Sequence, residues 1–184
     1  MIKLMKGKTS NIEKIFDLRL PNDPDPAQGL IDRLLHIKQQ AYFNKQEFLR
    51  MCSWKSPRPR RLYQSNSSAV IRRISFKVFA AESEKEKIEL LTSLKGVGIP
   101  TASAILTLTD PQAYGVIDIR VWQLLYQFGA VRTRPSGAGF SFDNWLEFLE
   151  RLRYWAQKYN SSVRDVERAL FDHHKENQVG TLYP

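Results

Sequence analysis

Residues 94–106 read Leu-Lys-Gly-Val-Gly-Ile-Pro-Thr-Ala-Ser-Ala-Ile-Leu, and this stretch decides the fold. Helical patterns precede and follow Gly96-Val97-Gly98, so the sequence predicts two helices joined by a tight turn. Glycine reaches backbone angles that other residues avoid, and the first amides of the second helix have no partner inside that helix. The positive end of the helix dipole also favours an anion. The hairpin therefore predicts contact with a phosphate of a nucleic-acid backbone.

The composition is that of a basic globular protein. The chain has 184 residues, of which 42% are hydrophobic, so we expect a single compact unit over residues 1–184, either one domain or two small lobes sharing a core, and neither disorder nor a fibrous repeat. Its 28 Lys and Arg against 19 Asp and Glu give a formal net charge of +9. Such a charge attracts polyanions, but a soluble protein with other partners can be equally basic. The net charge therefore favours an anionic partner but does not indicate which reaction, if any, the protein catalyses.

The cysteine and histidine content argues against several cofactors. Cys52 is the single cysteine, which excludes an intramolecular disulfide and a four-cysteine iron-sulfur or zinc site. His36, His173 and His174 form no short metal-ligand spacing with it. We therefore expect no metal and no cofactor. No apolar run is long enough to span a bilayer, so we predict a protein of the cytoplasm or nucleoid without membrane contact. We also expect it to be a monomer.

Hydrophobic spacing predicts an all-α protein. Apolar residues recur at helical intervals, and period-2 alternation is nearly absent. Asn44 with Glu47, and Ser83 with Glu86, have the spacing of capping boxes that open helices. Residues 54–63 mix prolines, cations and aromatic residues, which predicts an exposed basic loop.

Prolines and the hairpin suggest how the chain is organised. The clearest break is Asn-Asp-Pro-Asp-Pro at residues 22–26. We place a helical bundle lobe at about residues 30–128, with the hairpin at 88–108 inside it. Residues 1–29 and 129–184 then form a second helical lobe.

Three segments taken together resemble the helix-hairpin-helix superfamily of DNA glycosylases, with endonuclease III-like enzymes as the nearest match. They are Leu-Tyr-Gln-Ser-Asn-Ser-Ser-Ala-Val-Ile at 62–71, the hairpin, and Val-Ile-Asp-Ile-Arg-Val at 116–121. The resemblance implies an all-α, two-lobed fold with a DNA-binding cleft between the lobes and double-stranded DNA as the partner. It also implies that the target nucleotide rotates out of the duplex, because the bond to be cut cannot be reached inside the stack.

The resemblance assigns the catalytic carboxylate to Asp118. Breaking an N-glycosidic bond builds positive charge on the sugar, and a fixed carboxylate stabilises that charge and orients or deprotonates a water. The alternative is purely structural, since aspartate is a favoured N-cap and Asp118 precedes a predicted helix. The two roles are compatible.

The chain departs from the family at Pro100. Members that also cut the strand carry a lysine there, two residues after the second hairpin glycine, and its amine forms a Schiff base with the sugar. Proline has no such amine and suits the first turn of a helix. The resemblance therefore implies a monofunctional enzyme that uses water, and one without the iron-sulfur cluster of some relatives.

The remaining candidates are residues placed to contact DNA through backbone amides or cationic side chains. They are Lys95, Gly96, Val97, Gly98, Thr101, Arg58, Arg60, Arg61, Arg72, Arg73, Lys77 and Arg120. The hairpin carbonyls of Leu94 and Val97 are a further candidate, for a monovalent cation.

Aromatic residues divide into two predicted groups. Trp54 and Tyr114 are predicted in loops, where a ring could stack on an extruded base or wedge into the duplex. Trp122, Trp145 and Trp155 lie at helical spacing among apolar neighbours, so we predict them in the core.

Two functions from different classes remain open at this stage. The first is a monofunctional base-excision glycosylase acting on a damaged, mispaired or modified base. The second is a non-catalytic helix-hairpin-helix protein that binds DNA and keeps Asp118 as a cap. A glycosylase-like factor acting on modified DNA is a variant of the first.

Overall fold

The computed structural model describes residues 9–20 and 23–178, and all regular secondary structure in this part of the chain is helical. The all-α prediction is therefore confirmed for these residues. Residues 1–8 of the predicted N-terminal segment, Asn22 of the predicted break and residues 179–184 lie outside the described residues. The helices are α1 (Thr9–Arg19), α2 (Gln28–Leu34), α3 (His36–Gln40), α4 (Lys45–Lys55), α5 (Arg60–Gln64), α6 (Ser68–Ala80), α7 (Glu84–Thr92), α8 (Ile99–Thr109), α9 (Ile119–Gln127), α10 (Phe142–Lys158) and α11 (Val163–Asn177).

Six of the described helices begin at a residue whose short polar side chain accepts a backbone amide of the first turn: α4, α6, α7, α9, α10 and α11. Asn44 and Glu47 form the predicted capping box at the start of α4. Ser83 opens α7 by accepting the Glu86 amide at 3.1 Å. Ser162 caps α11 through the Asp165 amide at 2.9 Å. Local sequence thus sets most of the helix starts.

The described residues separate into two compact units. One unit is Pro24–Pro111, and the other comprises the described residues of Met1–Asp23 and Gln112–Pro184. The boundary between the two units lies after residue 111, whereas we expected it near residue 128. The helix α9 belongs to the second of these units because it packs against α11, and the Val163 amide donates to the Gln112 carbonyl at 3.3 Å.

In the unit Pro24–Pro111, α8 is the central helix. Residues 101–109 are buried throughout, and α8 packs against α2, α4 and α7, while α6 packs against α7. Pro100 stands in the first turn of α8, where its missing amide removes no intrahelical hydrogen bond. The hairpin is thereby built onto the most buried helix of its unit.

In the other unit, α11 packs against α1, α9 and α10. Trp122, Trp145 and Trp155 are all 0% exposed, so the prediction that they lie in the core is confirmed. Phe16 of α1 contacts Trp155 with ring centroids 5.3 Å apart. This core positions the N-terminus of α9, which carries Asp118.

The prediction of a loop over residues 54–63 is wrong at both ends of this segment, which are helical. Trp54 lies in the last turn of α4, which continues to Lys55, and Arg60–Gln64 form α5. Only the residues between these helices are irregular, where Pro57 and Pro59 interrupt the chain. The arginines of this segment are exposed as expected and Lys55 is half-buried, but α5 holds part of the segment in a regular structure.

No helix in residues 9–20 and 23–178 is both long and apolar enough to cross a membrane.

Candidate nucleic-acid interface and catalytic carboxylate

The hairpin between α7 and α8 has the backbone geometry that its two glycines predict. Gly96 has φ +85°, a conformation that residues with a side chain rarely adopt. Gly98 is the N-cap of α8 in an extended conformation, and its lack of a side chain leaves the first amides of α8 without a side-chain cap. This opening is suited to an anion, because the unpaired amides and the helix dipole act in the same direction.

Asn66 attaches the hairpin to the segment that follows α5. Its side chain is buried, and its Oδ1 accepts the Lys95 amide at 2.9 Å. Its Nδ2 lies 3.0 Å from the Lys95 carbonyl oxygen, and 3.1 and 3.2 Å from those of Tyr63 and Leu62. The amide group therefore holds the Lys95 backbone on both its donor and its acceptor side. Sequence reasoning included Asn66 in a motif but missed this role, which needed the pairing of two distant segments.

Tyr63 packs under the turn. Its ring is fully buried, and a Cβ added to Gly96 would lie 3.0 Å from Tyr63 Cδ1 and 2.9 Å from Leu62 Cβ. Burial raises the pKa of the Tyr63 phenol, and its hydrogen bond with Thr101 opposes that rise. The Tyr63 and Thr101 hydroxyl oxygens are 3.4 Å apart. Close packing therefore requires glycine at position 96 independently of any DNA contact.

Two of the predicted DNA-binding hairpin residues have buried side chains. Val97 and Thr101 are 7% and 6% exposed, so their side chains are not available to contact a phosphate. The Val97 amide donates to the Leu94 carbonyl at 3.1 Å. That oxygen retains one lone pair for the monovalent cation expected at Leu94 and Val97. This cation site stays a prediction.

The cations predicted to contact phosphate in the unit Pro24–Pro111 have exposed side chains. They are Lys95, Arg58, Arg60, Arg61, Arg72, Arg73 and Lys77. Lys95 lies in the hairpin itself, and its charge adds to the field of the α8 dipole. These positions are compatible with the sequence-independent backbone contact predicted for them.

Two exposed apolar side chains lie near these cations. Trp54 is 38% exposed at the end of α4, which retains it as a candidate to stack on a base. Leu62 is 52% exposed on α5 beside Gly96, and sequence reasoning did not single it out. Once the fold is known, Leu62 can be identified as a candidate DNA contact because it is an exposed leucine beside a tight turn. Apolar side chains of this kind can wedge between base steps.

Tyr114 is placed differently from the expectation. It lies outside the helices, but it is only 7% exposed, because its ring stacks on Trp145 with centroids 6.4 Å apart. The Arg153 guanidinium lies 5.2 Å from the centre of the same ring. The ring is held in its unit's core, so the base-pocket or wedge role predicted for Tyr114 is not favoured by its packing.

Asp118 is the N-cap of α9, as its position in the sequence predicts. Its Oδ1 accepts the Arg120 amide at 3.0 Å, and the residue is half-buried. The hydrogen bond restricts the carboxylate to one orientation. The side chain is thus both a cap and a pre-oriented charge at a partly exposed helix start.

His174 interacts electrostatically with both Asp118 and Arg120. The Arg120 guanidinium donates to Gln178 Oε1 and lies 5.8 Å from the centre of the Phe171 ring, so it has partners inside its own unit rather than being a free phosphate ligand. The pKa of His174 is lowered by burial and by Arg120, while Asp118 acts in the opposite direction. Sequence reasoning considered this histidine as a metal ligand and missed its proximity to the carboxylate.

Two further residue types bear on the chemistry. Burial raises the pKa of the Cys52 thiol far above its usual range, so this cysteine is unsuited to act as a nucleophile. Among residues 9–20 and 23–178, no group of three or more His, Cys, Asp or Glu side chains could hold a metal ion.

Comparison with known proteins gives a structural match and no sequence match. No protein-family model and no curated protein matches the sequence. The structure is similar to the crystal structure of Methanocaldococcus jannaschii 8-oxoguanine glycosylase/lyase in complex with a 15mer DNA containing 8-oxoguanine, with a TM-score of 0.55 and 15% identity. The match covers 93% of this chain and 100% of the other. The chain therefore shares the all-helical fold of a DNA glycosylase.

Proposed function

We propose that the protein is a DNA glycosylase that hydrolyses the N-glycosidic bond of an altered or mispaired base rotated out of duplex DNA. One observation supports the proposal: a chain with the fold of a glycosylase has both a glycine hairpin that leaves the start of α8 without a side-chain cap and a half-buried carboxylate hydrogen-bonded at the start of α9. The hairpin accounts for grip on the backbone, and the carboxylate accounts for chemistry at the sugar.

Asp118 is the catalytic residue of the proposed reaction. As the N-glycosidic bond breaks, positive charge develops on the sugar, and the ionised carboxylate stabilises it. The nucleobase leaves with the electron pair of the broken bond, a water oxygen forms the new bond to C1′, and the proton of that water passes by way of the Asp118 carboxylate to the departing nucleobase. The hydrogen bond from the Arg120 amide keeps the carboxylate aligned during this step.

Water is the proposed nucleophile because Pro100 occupies the position where lyase members of the resembled family carry lysine. The nearby Lys95 precedes the turn, and its side chain is exposed. We assign it to phosphate contact. The proposal therefore predicts base removal without strand cleavage.

Leu62 and Trp54 are proposed to support the distorted duplex. Leu62 stands beside the turn, so it is placed to enter the base stack where the hairpin holds the backbone. Trp54 offers a ring for stacking on a base. Unstacking costs a few kcal/mol per step, and such side chains offset part of that cost.

The test uses Asp118→Asn, because asparagine caps a helix about as well as aspartate but carries no charge. Duplexes carrying uracil, oxidised, alkylated or deaminated bases are incubated with enzyme and then treated with alkali. We expect wild type to give strand breaks on at least one of them, and Asp118→Asn to lose at least about 100-fold in rate while retaining DNA affinity.

Asp143→Asn is the matched control, because Asp143 is also an aspartate at the start of a helix but is exposed in the first turn of α10. It should retain full activity. Borohydride reduction tests the nucleophile, since a trapped protein-DNA adduct would contradict the use of water.

The second candidate is a DNA-binding protein without catalysis. The observation that favours it is the cap itself, because a hydrogen bond to the Arg120 amide explains an aspartate at position 118 without any reaction. Absence of abasic sites on every duplex in the panel, with DNA binding intact, would support this candidate and overturn the enzyme.

A further inference from the structure

A surface cluster formed by α6 and Tyr42 has ring contacts that play no part in the proposed reaction. The Arg72 guanidinium lies 4.6 Å from the centre of the Tyr42 ring and 5.7 Å from that of Phe76. The two rings are 4.8 Å apart, with an angle of 32° between their planes. We call these three side chains the Tyr42–Arg72–Phe76 stack. Arg72 and Phe76 are four residues apart, so they share one face of the helix.

The backbone under the stack is held in place. Ser75 is fully buried on the inner face of α6, and its Oγ accepts the Phe43 amide at 3.2 Å. The same hydroxyl lies within hydrogen-bond distance of the Phe43 and Arg72 carbonyls, at 3.3 and 2.9 Å. Tyr42 is therefore fixed against the helix by its neighbour in sequence. A ligand would meet a surface that is already organised.

The stack is exposed to solvent although it is built from aromatic rings. Phe76 is 42% exposed, Tyr42 is half-buried and Arg72 is exposed. Within residues 9–20 and 23–178, no carboxylate forms an ion pair with Arg72. A guanidinium that is exposed, contacts aromatic rings and has no carboxylate partner keeps N–H groups available for a ligand.

Charge around the stack selects the class of ligand. Arg73 and Lys77 are exposed on the same helix, and no acidic residue occurs in Ser68–Ala80. Aromatic rings interleaved with cations bind nucleic-acid bases by stacking and the backbone by charge. Bases within a duplex are already stacked on each other, so an unpaired strand is the form that offers a free base face.

The stack is also at a useful distance from the hairpin. The helix α6 begins after Ser67, next to Asn66, which holds Lys95. Phe76 is nine residues beyond Ser67, which corresponds to about 14 Å along the helix at 1.5 Å per residue. A DNA strand rises about 3.4 Å per nucleotide, so the separation corresponds to about four nucleotides.

We propose that the Tyr42–Arg72–Phe76 stack binds a base of an unpaired DNA strand that flanks the duplex held by the hairpin. The inference depends on the DNA-binding part of the proposed function and not on catalysis. It gives the protein a preference for duplex next to single strand, such as a gap, a flap or a strand end.

The experiment measures affinity for a lesion-free duplex with and without a six-nucleotide overhang, of either polarity. Each protein is described by the ratio of its two affinities, so that changes in duplex binding cancel. For wild type we expect the overhang of one polarity to increase affinity about fivefold or more. The fluorescence of 2-aminopurine placed at the third to fifth unpaired position should be quenched on binding.

Two variants separate stacking from charge and from packing. Arg72→Lys keeps the charge but removes the planar group, and Phe76→Leu keeps an apolar side chain but removes the ring. Both should lower the affinity ratio towards one and abolish the quenching. Tyr154→Phe, at an exposed aromatic residue in the other unit, is the control and should keep the ratio.

The outcomes distinguish this inference from the proposed function. A wild-type ratio of one, or a ratio unchanged in Arg72→Lys and Phe76→Leu, would overturn the stack as a binding site even if the protein is a glycosylase. A ratio that falls in both variants would support the stack even if no lesion is excised. Circular dichroism melting verifies that each variant is folded.

Discussion

Replacing Gly96 by alanine should destabilise the unit Pro24–Pro111 strongly. At φ +85° the left-handed backbone costs a residue with a side chain about 1–2 kcal/mol. The new Cβ would lie 2.9 Å from Leu62 Cβ and 3.0 Å from Tyr63 Cδ1, well inside carbon contact distance. Relieving such overpacking costs about 1–3 kcal/mol, so the free energy of unfolding should fall by about 2–5 kcal/mol.

Gly98→Ala is the matched control, because it makes the same chemical change two residues away. There φ is −99°, and the nearest atom to an added Cβ is Pro100 Cδ at 3.9 Å. Alanine fits, although it is a poorer N-cap than glycine, so we expect a change in stability within about 1 kcal/mol. The added methyl group lies at the proposed phosphate site, and DNA affinity should fall about tenfold.

Urea denaturation followed by circular dichroism measures the stability of both variants. Hydrogen exchange of α8 peptides localises the effect to the unit Pro24–Pro111. Equal stability losses in Gly96→Ala and Gly98→Ala, or no loss in either, would refute the argument from backbone angle and packing. A Gly98→Ala protein that binds DNA as well as wild type would refute the phosphate site at the start of α8.

Two further predictions concern other parts of the chain. Asn66→Ala removes the partner of both Lys95 backbone groups and leaves these partly buried polar groups unsatisfied, so the free energy of unfolding should fall by about 2–3 kcal/mol in urea denaturation. A loss smaller than about 1 kcal/mol would contradict the conclusion that Asn66 holds the hairpin backbone. Burial lowers the pKa values of His173 and His174 below the ordinary 6.5, so the unfolded chain binds more protons just below that pH. Stability should therefore fall as the pH drops from about 7 to about 5, and His173→Gln combined with His174→Gln should flatten that slope in pH-dependent urea midpoints; an unchanged slope would show that other groups cause it.

The extent to which sequence predicted the site differs from residue to residue. Asp118 was predicted as a cap and as a candidate catalytic carboxylate; the cap is confirmed, and catalysis stays a proposal. Helix caps are read from sequence because the donor and acceptor lie within three residues. The role of Asn66 could not be read in this way, since its partner Lys95 is 29 residues away.

Aromatic residues show the same division. Helical spacing correctly assigned Trp122 and Trp145 to the core, because a regular apolar period has one buried face. Outside the helices there is no such period, so Tyr114 was placed at a DNA surface, whereas its ring stacks on Trp145. The contact of Tyr42 with Arg72 likewise joins segments that no local pattern connects.

The sequence by itself determined the all-α class, the tight turn at Gly96 and the starts of α4 and α9. These features depend on backbone angles and on hydrogen bonds between near neighbours, which residue type and spacing specify directly. Tertiary structure decided where the units divide, what holds the hairpin, and which exposed side chains lie together on one surface. These depend on which helix faces pack against each other, a choice made by the free energy of burial over the whole unit rather than by any single segment.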